Sequence, residues 1–276
     1  MPTLEVHKLI NMKKLFTLGL LFVLLTSHEL FLKSDSFFKK SNESTVLYLF
    51  NGTFDESENT ITRDRIINAR ILGPEYEFYP KKEDYYDSDD VTFLKWTTGE
   101  PGTYVAGIST LPRVIKLSAS EFTDYLKHEG LISTVNDRKA KGISDQPAVE
   151  KYSKHVKAII QVEDKKTNEY SNVLGYPIEF IPASNPYELS VGDDLRMRLL
   201  FKGLPLPNQV VHIGSRSSDE IQDVEETETR TDSAGEFSVK IDKKGKWYVA
   251  SIYMQESAEE GIDYESNWAT LAFEVK

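Results

Sequence analysis

Cysteine is missing from all 276 residues. That excludes disulfides, thiolate metal sites and a cysteine nucleophile. Positive charge is in short supply: 33 Lys and Arg stand against 44 Asp and Glu, a net charge of −11. Nucleic acid needs Lys/Arg patches to meet its phosphates, so the balance argues against it as a partner. An acidic surface suits solubility and attracts cations. Histidine is scarce, with five in the chain. No Gly-x-Ser-x-Gly elbow, phosphate-binding glycine loop or His-Glu-x-x-His pair occurs. Nothing combines a nucleophile, a base and an oxyanion site, so an enzyme is disfavoured.

Long apolar runs are lacking too. The uncharged run 15–27 has 13 residues, too few for a helix across a bilayer core of about 30 Å. Lys13 and Lys14 precede it and Ser27 closes it. That is the composition of a secretory signal peptide, residues 1–27, complete by itself from Met12. It implies a soluble, periplasmic or secreted product with no transmembrane segment. A cut after Ser27 removes Lys8, Lys13, Lys14 and Glu5 and makes His28 the first residue. Leu25 is larger than the residue preferred three places before such a cut, and a cut after Thr26 would leave Ser27 in front of His28.

What remains reads as β at both ends. Residues 28–117 contain the runs STVLYLFNG, RIINARILG, DVTFLKWT and GTYVAGIST, bounded by Gly, Asn or Pro. Residues 118–174 change texture. SASEFTDYLKHEGL carries a Ser start, acidic residues in the first turn and a Gly stop, and predicts a helix. In DQPAVEKYSKHVKAIIQV, Val149, Tyr152, Val156 and Ile159 or Ile160 fall at helical spacing, so two helices, or one helix and a turn, are expected between the β regions. EDKKTNEYSN reads as a linker. From 175 to 276, six or seven short strands separated by turns predict another sandwich. The expected architecture is all-β, with two immunoglobulin-like or prealbumin-like sandwiches and a short helical insert between them.

Two resemblances sharpen this. SVGDDLRMRLLFKGLPLPNQVV, followed by TRTDSAGEFSVKIDKKGKWYVASIYM, resembles the prealbumin-like or carboxypeptidase-regulatory-like β-sandwich. The turn physics agrees: Asp232 suits an Asx turn, and Gly235 supplies a positive φ. More widely, HELFLKSDSF, EPGTYVAGISTLPRVIKLSASEFTDYLKHEGL, GYPIEFIPASNPYELSVGDDLRMRLLFKGLPL and DYESNWATLAFEV are similar to a family of exported bacterial proteins catalogued as a domain of unknown function. Some of its members are described as periplasmic substrate-binding components of nickel uptake. The resemblance implies a divalent-metal cargo, nickel or cobalt, and a membrane metal transporter as partner. Members commonly carry Trp where Phe31 stands and His where Tyr253 stands.

The residues suggest the same chemistry. A histidine at a free N-terminus chelates through its α-amine and Nδ1, which suits nitrogen-seeking ions such as Ni(II) or Cu(II). His28 is therefore the first candidate ligand, and His212, His155 and His128 are candidates to complete the site. Each has a plainer reading: His128 as a helix-dipole partner, His155 as a packing residue, His212 as a strand residue. The acidic stretches DYYDSDD and DEIQDVEETETR read as solvated loops. Two other functions stay open. A non-catalytic module could bind a surface polymer or protein through aromatics such as Tyr85, Tyr86, Trp247 and Trp268. A copper-dependent oxidative enzyme could use an N-terminal His28.

Overall fold

The computed structural model describes residues 29–217 and 224–276. His28 and the expected signal segment lie outside the described residues.

The described residues form three sheets. The first orders the strands Glu29–Lys33, Ser44–Gly52, Val91–Thr97 and Tyr85–Ser88, with Ser57–Asn59 also on Ser44–Gly52. The second has ten strands. Its path runs Glu225–Arg230, Val210–Ser217, Gly245–Glu256, Tyr264–Val275, Ala148–Val162, Gly102–Thr110, Ile66–Gly73 and Tyr76–Phe78, while Phe38–Lys39 and Arg113–Leu117 also pair with Ala148–Val162. The third holds Ile178–Pro182, Asp194–Phe201 and Leu204–Pro205, with Glu236–Lys240 on Asp194–Phe201.

Successive side chains of a strand point to opposite faces, and this places the layers. Tyr104, Ala106 and Ile108 pack with Leu30, Leu47 and Leu94 of the first sheet. Val105, on the same strand, packs with Phe180, Leu195 and Phe237 of the third. The ten-stranded sheet is thus the middle layer of an all-β sandwich. It takes strands from both sides of the boundaries expected at 117 and 175.

The predicted first helix forms over Ala119–His128. Its cap is Ser118: the Oγ accepts from the Glu121 N–H at 3.3 Å, and the Glu121 carboxylate accepts from the Ser118 N–H at 2.8 Å. Phe122, Tyr125 and Leu126 are buried against Tyr264, Trp268 and Ile252. A helix that sequence reading did not mark follows over Ile132–Ala140. The helix expected around His155 is absent, and Ala148–Val162 is instead a 15-residue strand. It pairs parallel to Tyr264–Val275 and antiparallel to Gly102–Thr110. Both faces of its second half are buried, so its apolar residues run on without alternating and mimic a helical stripe. Among the described residues no helix is long and apolar enough to cross a membrane.

Candidate metal centre

The two candidate histidines that meet do so through a helix end and a strand. Gly130 closes the first helix at φ +65°, and a Cβ there would stand 3.1 Å from a Val210 methyl carbon. The turn therefore seats against the strand Val210–Ser217, two residues from His212. His128 and Glu129 end the helix over that strand. From the other side, Glu29 pairs with Gly52 in the first sheet. A cavity of about 150 Å³ results, lined by Glu29, His128, Glu129, His212, Glu226 and Tyr248 among others. Its apolar side is a cluster of three rings, with Phe31, Phe54 and Tyr248 at centroid separations of 4.7–5.2 Å.

His212 is held by a chain of hydrogen bonds. The Tyr248 hydroxyl donates to Glu226 Oε2 at 2.6 Å. Glu226 Oε1 stands 3.2 Å from His212 Nδ1. An ionised carboxylate only accepts, so Nδ1 carries the proton. The other ring nitrogen, Nε2, is buried with no hydrogen-bond partner among the described residues. A carboxylate behind one imidazole nitrogen and an unengaged second nitrogen is the arrangement that orients metal-ligating histidines. Gly214 makes the chain possible: a Cβ there would fall 2.0 Å from the Tyr248 ring.

Charge accumulates at this point. Burial alone lowers the pKa of His212, but its bond to Glu226, with Glu129 and Glu29 behind, reverses this and raises it to about 9. Glu29 is pushed up to about 8, first by burial and then by Glu129, while His212 and Lys154 oppose the rise. Glu226 is held low, first by its bond to His212. The donors are imidazole nitrogen and carboxylate oxygen, a set that suits first-row divalent ions. Among the described residues, no group of three or more His, Asp or Glu side chains is placed to hold a metal ion.

The sequence-named residues divide. His212 and His128 meet in the cavity, with the His128 side chain 59 % exposed and its Nδ1 3.6 Å from Glu129 Oε1. His28 lies outside the described residues, but its neighbour Glu29 lines the cavity. His155 is elsewhere, buried in the central sheet. Its Nδ1 meets Ser109 Oγ at 2.9 Å, and its Nε2 meets Ser153 Oγ at 3.1 Å and Asn267 Oδ1 at 3.3 Å. Burial lowers its pKa to about 4, against the pull of Asn267. Of the aromatics considered for polymer binding, Tyr85, Trp247 and Trp268 are buried, while Tyr86 is exposed. Glu29, Glu226 and Tyr248 were not singled out in the sequence. Glu226 belongs to the acidic stretch read as a loop, part of which forms the strand Glu225–Arg230. One signal was available: His28 and His128 are each followed directly by Glu.

The layers and the cavity define a β-sandwich protein with an acidic, histidine-bearing cleft. The chain belongs to the family described as domain of unknown function DUF4198, whose profile matches residues 25–255. No curated protein matches it. Among solved structures, the D0-D1 domain of intimin is 9 % identical, covering 89 % of this chain and 97 % of that one, with a TM-score of 0.22. A Salmonella alpha-2-macroglobulin variant is 10 % identical, covering 89 % of this chain and 14 % of that one, with a TM-score of 0.24. Dimeric latent PorU from Porphyromonas gingivalis is 11 % identical, covering 90 % and 20 %, with a TM-score of 0.21. At these scores the likenesses carry no weight for fold or function.

Proposed function

We propose that this protein is an exported, non-catalytic binding protein. It captures a divalent transition metal, nickel or cobalt, and delivers it to a membrane transporter. The observation that supports this reading is His212: Nδ1 is fixed by Glu226, and the buried Nε2 lacks a partner among the described residues, beside a cavity lined by Glu29, Glu129 and His128. Nε2 and the carboxylates would hold the ion. The His28 imidazole and terminal amine would join them once the signal segment is removed. The exposed His128 would make first contact at the mouth.

Titrating the exported, chelator-stripped protein with Ni²⁺ and Co²⁺, beside an intact-mass measurement, tests this reading. One site per chain is expected. His212→Ala should weaken it roughly 10–100-fold, the scale at which even an outer partner of a ligand is felt. His155→Gln should leave the affinity unchanged. Equal binding by wild type and His212→Ala would overturn the reading.

A further inference from the structure

A second cavity lies on the ten-stranded sheet's far edge, away from the histidines. It measures about 280 Å³ and is bordered by Ile66, Ile67, Ala69, Pro80, Tyr85 and the cations Arg63, Lys81 and Lys82. Three of its nine lining residues are cationic and none is acidic, on a chain whose net charge is −11. Positive groups in a concave site focus potential and draw anions.

The hollow is built by the backbone. Between Ile67 and Arg70 the strand carries one residue more than its partner Gly102–Thr110. Such a bulge bends the strand and re-aims its side chains. Asn68 sits in it in the left-handed region, at φ 50°, and its carbonyl accepts from the Tyr176 hydroxyl at 2.9 Å. Opposite, the turn bearing Lys81 and Lys82 is pinned by Asp84, whose carboxylate accepts from the Lys81 N–H at 2.7 Å. Arg63 is steered by Ile61 O and Asp87 Oδ1, both at 2.9 Å, and lies over the Tyr85 ring. These bonds use one hydrogen from each terminal nitrogen of a five-donor group.

Tyr85 is 8 % exposed, and its buried hydroxyl has no hydrogen-bond partner among the described residues. An unmet buried donor is costly to keep. We propose that this cavity is a binding site for a small organic anion, a single carboxylate on a compact apolar body. The carboxylate would meet Arg63, Lys81 and Lys82 and accept from Tyr85. The body would lie on Ile66, Ile67 and Pro80. The volume falls just below the roughly 300–1,000 Å³ of drug-sized ligand pockets, which sets the size class.

Benzoate is the probe, with benzyl alcohol as its neutral counterpart, on the full chain without added metal, followed by calorimetry or NMR. Saturable binding of benzoate and none of benzyl alcohol is expected. Lys81→Ala/Lys82→Ala should weaken benzoate roughly tenfold, the scale of a lost bond to a charged group. Tyr85→Phe should weaken it several-fold while leaving the melting temperature unchanged or higher, because no protein partner is lost. No saturable binding of benzoate, equal binding of the alcohol, or variants that bind like wild type would each overturn the proposal. None of these outcomes bears on the metal cavity.

Discussion

His155 shows what burial does to a histidine whose two ring nitrogens both have hydrogen-bond partners. Its pKa falls from 6.5 in the unfolded chain to about 4 in the fold. Unfolded chains take up its proton below pH 6.5, while folded chains resist until about pH 4. The stabilisation is therefore complete above pH 6.5 and is lost as pH falls from there towards 4, a loss on the order of 3 kcal/mol. Urea melts across that window should show the slope, and His155→Gln should remove it. A second residue-scale expectation concerns Lys157 and Glu179, an ion pair with both side chains sealed from solvent at 3.1 Å. Glu179 also accepts from the backbone N–H groups of Leu174 and Gly175, each at 2.9 Å. Removing the lysine strands this carboxylate, so Lys157→Ala should destabilise the fold by about 3–5 kcal/mol in denaturant unfolding. A Lys157→Met/Glu179→Gln pair should be milder than the two single changes summed.

Elements were legible where one face is wet. The alternation LRMRLLF became Asp194–Phe201, buried at Leu195, Met197 and Leu199. The TDSAG turn formed as expected, with Asp232 Oδ1 accepting from the N–H groups of Ala234 and Glu236 and Gly235 at φ +71°. Ala148–Val162 was not legible, because a strand covered on both sides gives up its alternation. Its Lys154, His155 and Lys157 imitate a polar helix face while being buried. The cavity was half legible. Its histidines could be named, but the carboxylates arrive from a strand start, a helix end and an edge strand, and no spacing in the chain announces that meeting. One element-scale prediction follows from Gly214. Gly214→Ala collides with the Tyr248 ring and should cost about 1–3 kcal/mol. It should also loosen Glu226 and weaken metal binding, which thermal melts and Ni²⁺ titration on the same sample would read.

At the scale of the whole molecule, the proposed cation capture would be governed by net charge and proton uptake. Glu29 and His212 must shed protons to act as ligands, so Ni²⁺ affinity should rise from pH 7 to 9 as groups with pKa values of about 8 and 9 titrate. Proton release measured in two buffers of different ionisation enthalpy checks this, and flat affinity across that range would contradict it. The central sheet has another consequence, one of timing. Glu150 in Ala148–Val162 pairs with Tyr264, and the ladder continues to Ala158 with Ala272. A growing chain makes the first strand of that pair more than a hundred residues before the second. Until then the longest strand waits with one edge bare, open to other chains. Assembly dominated by such distant partners is slow. Delay of this kind leaves an interval in which that edge, rather than the finished surface, is what the chain presents to its surroundings.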